Sequence, residues 1–194
     1  MQAHLNIKSQ QEEQYTVNPK KFMMWVFIVA ICMLFAGLTS AYIVKKADQK
    51  NWIDFRLPAM FMYTTLIVLA SSATLWWAAR SAQKDEIGKV KIGIVATLVL
   101  GILFCLGQWD GWSDMVSRKI VFSGDSVSFS FVYILSGLHL VHIVGGVILM
   151  AALTVKAFRY KIHKKSMLGI QLASTYWHFL TILWVYLYVF LVNA

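Results

Sequence analysis

Five stretches of the chain contain no Asp, Glu, Lys or Arg: Phe22–Val44, Leu57–Ala79, Ile92–Trp109, Ser126–Val155 and Ser166–Ala194. A helix needs about 20 apolar residues to cross about 30 Å of hydrocarbon. Each run can therefore cross once, and none is long enough to cross twice. The runs lack the period-two alternation of barrel strands, and five is an odd number for a single-chain bacterial barrel. The expected fold is all-α: a polytopic bundle of five transmembrane helices at about 22–44, 57–79, 92–109, 129–155 and 168–192. A polar N-terminal tail covers residues 1–21, and residues 22–194 form one membrane domain. The first run follows polar sequence and is too long for a signal-peptide core, so it is expected to remain as a membrane helix.

Only 14% of the 194 residues are charged while 59% are hydrophobic. Soluble domains carry about 25% charged residues, so too little charge is present to cover a water-facing surface. The net charge of +9 sits in short segments between the runs. That pattern matches membrane flanks and lipid headgroups rather than nucleic acid. Residues 1–21, 80–91 and 156–165 together hold 12 Lys and Arg, against 6 for residues 45–56, 110–125 and the C-terminus. Cytoplasmic loops carry the excess of Lys and Arg, which predicts a cytoplasmic N-terminus and a periplasmic C-terminus. Trp25, Trp52, Trp76, Trp77, Trp109 and Trp112 fall near the predicted interfaces, Pro58 opens the second span, and Ser123-Gly124-Asp125-Ser126 reads as a turn before the fourth. Cys32 and Cys105 lie within apolar runs and read as small packing residues.

Within the spans the only ionisable groups of chemical interest are three histidines. His139 and His142, three apart, share a helical face that Ser136 and Tyr133 extend. Thr175, His178 and Thr181 form a similar stripe on the last run, with Ser174 beside it. Two polar stripes on consecutive antiparallel helices predict that these helices pack with their histidines inward. At about 1.5 Å per residue, His178 lies within about 6 Å of the depth of His139 and His142. Interhelical hydrogen bonding is the ordinary use of such residues. Bis-histidine ligation of haem b, through His178 with His139 or His142, and a metal or proton-handling site are the alternatives. Ala36, Gly37, Ser40, Ser71, Ser72, Gly145 and Gly146 read as contacts for close helix approach. The basic turn from Lys156 to Lys165 reads as both an orientation signal and an anionic-lipid site.

Several segments resemble the subunit III family of haem–copper oxidases, in its five-helix form. Tyr176-Trp177-His178-Phe179, Leu183-Trp184 and Tyr186-Leu187-Tyr188-Val189 are similar to that family's C-terminal helix. Ser136-Gly137-Leu138-His139-Leu140-Val141-His142-Ile143-Val144-Gly145 is similar to the helix before it. Gln108-Trp109 with Trp112 resembles the end of the third, and Phe35-Ala36-Gly37 with Ala41-Tyr42 part of the first. The order holds over about residues 22–192.

The resemblance implies a non-redox accessory subunit of a respiratory terminal oxidase in a bacterial inner membrane. The holoenzyme would reduce oxygen to water and pump protons, supported but not catalysed by this chain. Haems and copper would belong to partner subunits I and II, with subunit I the main contact and small subunits also present. This chain would hold no cofactor of its own beyond bound phospholipid. It also implies that His139, His142, His178, Trp177 and Thr181 pack and hydrogen-bond in the interior, and that Lys156 and Arg159 contact lipid headgroups. Two alternatives accompany it: a subunit-III-like accessory protein of nitric oxide reductase, and a small haem b electron carrier. The chain departs from the family's pattern at Ile31 and Thr181, where members carry intramembrane carboxylates. That puts a proton-buffering role in doubt and leaves a scaffold role untouched.

Overall fold

The structure, a computed structural model, describes residues 18–48, 57–122, 127–159 and 168–193. The N-terminal tail before Asn18, Trp52, the turn at 123–126 and the basic residues Lys161–Lys165 lie outside the described residues. Five helices follow in order: α1 (Pro19–Asp48), α2 (Ala59–Gln83), α3 (Ile87–Ser117), α4 (Val127–Phe158) and α5 (Leu168–Asn193). All five are long and apolar enough to cross a membrane. Helices form here because hydrocarbon offers no partner for a free N–H or C=O, and a helix satisfies these groups within one segment.

Four helices close a ring in which α2 packs on α3, α3 on α4, α4 on α5 and α5 back on α2. Helix α1 stands outside the ring, against α4 and α5. Its inward stripe, Ile28, Ile31, Phe35, Thr39 and Tyr42, repeats every three or four residues. Tyr186 of α5 donates to the Thr39 hydroxyl at 3.2 Å, and Tyr42 meets Phe131 and Phe190 edge-on. The rest of α1 is outward-facing, with Met23, Met33 and Val44 exposed.

The α2–α3 pair is the closest. A turn of Lys84, Asp85 and Glu86 joins them, with Asp85 at φ 57°, a left-handed conformation that Asp tolerates better than most residues. Small residues then let the backbones approach: a Cβ on Gly93 would lie 2.6 Å from that of Ala78, and one on Gly107 2.6 Å from a methyl of Thr64. Helix α3 also runs well past the predicted end of its span. It continues through Asp110 and Asp114 to Ser117, with Arg118 paired to Asp114 at 2.8 Å. The chain beyond it is tied to α4, where Tyr133 donates to the Ile120 carbonyl at 2.7 Å.

The core is built around α5, the most enclosed helix. Trp177 and Trp184, two turns apart, are fully buried. A Cβ on Gly101 of α3 would sit 2.7 Å from the Trp177 ring, and one on Gly146 of α4 at 3.0 Å. The indole thus fills the space that these two residues leave. Gly101→Ala should therefore overpack the ring centre and cost about 1–3 kcal/mol, whereas Gly37→Ala, with nothing within 4 Å, should be close to neutral. Thermal melting of the detergent-solubilised protein followed by tryptophan fluorescence should show the first lowered and the second unmoved.

Candidate functional site

The polar side chains of the interior form a ladder between α2 and α5. The Trp177 indole N–H donates to the Ser71 hydroxyl at 3.0 Å, and that hydroxyl donates onward to the Val68 carbonyl at 2.7 Å. Two turns along, the Trp184 N–H donates to Thr65 at 3.0 Å, and Thr65 donates to the Phe61 carbonyl at 2.7 Å. Beside the first rung, Ser72 is hydrogen-bonded to His178 Nδ1 at 2.5 Å. The Ser71 and Thr65 hydroxyls each use their proton on α2 and a lone pair on α5. The result is two satisfied polar groups per rung where lipid would satisfy neither.

Helix α3 joins the same network. Thr97 and Thr74 share a hydrogen bond of 2.9 Å, and the Gln108 amide donates to Thr64 at 2.8 Å. On α4, Ser136 accepts from the Trp112 N–H at 3.1 Å and donates to the Val132 carbonyl at 2.6 Å.

His139 occupies the centre of an aromatic box and is fully buried. Its ring stacks on Trp184 with centroids 4.9 Å apart, and it meets the rings of Phe35 and Phe104 edge-on at 6.4 and 6.0 Å. Neither ring nitrogen has a hydrogen-bond partner among the described residues. His142 hydrogen-bonds the Leu138 carbonyl of its own helix at 2.7 Å and meets Phe35 of α1.

Helices α4 and α5 pack on each other, but their histidines do not face one another. His139 points to the ring centre, His142 towards α1 and His178 towards α2. The depths also separate: His139 lies level with Trp184, six residues and about 9 Å along α5 from His178. Facing imidazoles with a macrocycle between them are absent from this arrangement, because Phe35, Phe104 and Trp184 fill the space around His139. No group of three or more His, Cys, Asp or Glu capable of holding a metal occurs among the described residues.

The remaining predicted residues take clear positions. Thr181 is buried and donates to the Trp177 carbonyl at 3.0 Å. Ile31 is buried in the same apolar core, one turn from Phe35. Lys156 lines a groove of about 410 Å³ with Lys20 of α1 and Gly169 at the start of α5. Arg159 is exposed beyond the end of α4 and does not line the groove. The sequence reading missed the α2 hydroxyls as partners of the tryptophans. Their signal was present: Thr64 with Thr65, and Ser71 with Ser72, are two turns apart on one face.

If the rungs act as described, Ser71→Ala should destabilise by about 1 kcal/mol, Trp177→Phe by more because it also empties part of the ring centre, and the double variant should cost less than their sum. Strict additivity in melting would show that the bond contributes nothing.

The sequence matches the family described as Cytochrome c oxidase subunit III over residues 10–193. It is 27% identical to the cytochrome bo(3) ubiquinol oxidase subunit 3 of Buchnera aphidicola (Schizaphis graminum), covering 89% of this chain and 93% of that protein. It is 23% identical to the cytochrome c oxidase subunit 3 of Corynebacterium diphtheriae, covering 84% of this chain and 82% of that one. A probable cytochrome c oxidase subunit 3 of Mycobacterium tuberculosis is 27% identical with the same coverage.

Proposed function

Because the chain belongs to the cytochrome c oxidase subunit III family, we propose that it is the non-redox accessory subunit III of a respiratory haem–copper oxidase. It lies in a bacterial inner membrane with its N-terminus in the cytoplasm. The holoenzyme reduces oxygen to water and pumps protons, with haems and copper in subunits I and II. This chain supports the assembly and lasting integrity of subunit I. The observation that carries this reading is the family match across nearly the whole chain. The geometry supports it: the interior is closed by two tryptophans and an aromatic box, and its three histidines serve three different neighbours.

A tag on this chain should bring down a much larger haem–copper subunit, while the chain expressed alone should be colourless. A reduced-minus-oxidised haem band from the isolated chain would favour the electron-carrier alternative.

The basic groove supports a second role. Lys20 and Lys156 face one cavity with Leu168, Gly169 and Ile170 of the first turn of α5, an arrangement suited to a phosphate. The proposed ligand is a phospholipid headgroup, with Arg159 contributing from outside the groove. Lys20→Ala combined with Lys156→Ala should lower the phospholipid retained in native mass spectrometry of the complex. Unchanged lipid would remove the groove from consideration.

A further inference from the structure

The outward face of α5, between α1 on one side and α2 on the other, has an unusual pattern for a surface at membrane depth. In its first half, Gln171, Thr175 and His178 follow one another at helical spacing. Gln171 is exposed, and Thr175 and His178 are half-buried. In its second half the same face turns apolar, with Ile182 69% and Val189 52% exposed. A groove runs beside each half. The first, of about 370 Å³, is lined by Lys21, Trp25, Gln171 and Thr175. The second, of about 630 Å³, is lined by Ile43, Ile182, Tyr186 and Val189. From Gln171 to Val189 the face extends about 27 Å, close to the thickness of the hydrocarbon layer.

The polar atoms on this face are not used up within the chain. Ser72 engages His178 at Nδ1, which leaves Nε2 as the ring's other polar atom. The Thr175 hydroxyl donates to the Gln171 carbonyl and keeps its lone pairs. His178 lies about 15 Å along α5 from Leu168, too deep for a lipid headgroup, and acyl chains offer no hydrogen bond. Polar groups left against hydrocarbon are costly and in membrane proteins face protein. A face of full membrane length, hydrogen-bonding in one half and apolar in the other, with a groove against α1 beside each half and a lysine lining the first, matches one kind of occupant.

We infer that this face seats a transmembrane helix of another subunit, one that presents a hydrogen-bonding side chain opposite His178 and an acidic side chain opposite Lys21. The inference rests on the accessory-subunit reading and specifies where the assembly contact is made. Helix α5 is the floor of the seat and α1 its wall, with α2 flanking the face at Ser72.

The test uses the intact complex with a photoreactive benzophenone side chain at Thr175 or at Ile182, isolated through a tag on this chain. Cross-linking from both positions to one helix of a larger subunit is the expected result. Phospholipid adducts alone, from a complex that still contains its larger subunits, would overturn the docking face and leave the accessory function standing. A tagged chain that brings down no larger subunit would overturn both. Lys21→Glu should lower the cross-linking yield from Ile182 several-fold, and an unchanged yield would overturn the acidic partner group.

Discussion

The buried indole of Trp177 is the contact on which the bundle depends. It comes from α5, fills the space left by glycines on α3 and α4, and donates its N–H to a serine on α2. One side chain thus touches every helix of the ring. In hydrocarbon, apolar surface gains little by leaving lipid for protein, so close packing and satisfied polar groups must hold helices together. The ring centre supplies both. Trp184 repeats the arrangement two turns away, with Thr65 as acceptor and Phe61, Phe104 and His139 around its ring.

This organisation explains why the histidines lie far apart in environment though close in sequence pattern. His139 is held by ring contacts alone, whereas His178 is held by a hydroxyl and lies at the ring's outer margin. At Ile31 and Thr181 the resemblance to the family leads to the expectation of carboxylates. Here both positions are occupied by neutral side chains that complete the packing: Ile31 beside Phe35, and Thr181 bonded to the backbone between the two tryptophans. The interior is thereby suited to holding shape.

The number of helices was legible because charge is excluded from hydrocarbon, and the absence of charge marks each crossing. The end of α3 was not, for the same reason. Asp110 marks where hydrocarbon stops, but a helix makes its hydrogen bonds internally and continues into the aqueous side at little cost. Periodicity also showed that α5 has a polar stripe. It did not show which helix the stripe meets, since spacing fixes a face and leaves the neighbour open. Adjacency in sequence suggested α4, whereas of this stripe only His178 reaches another helix, at Ser72 of α2, and the neighbouring α2 hydroxyls take the indoles. Trp112, read as an interfacial residue, proves to be half-buried with its N–H on Ser136. An indole near a span end looks the same in sequence whether it faces headgroups or a neighbouring helix.

The ladder between α2 and α5 joins an early part of the chain to its last helix. Helices are made in order, and α2 with α3 can pair as soon as both are inserted. The hydroxyls of Thr65, Ser71 and Ser72 must then wait for residues more than a hundred positions later in synthesis. Until α5 arrives, the groove it will fill is lined by unmatched lone pairs and by glycines with nothing against them. Completion is consequently a single late event: a chain that ends before Trp177 has four crossings but no centre.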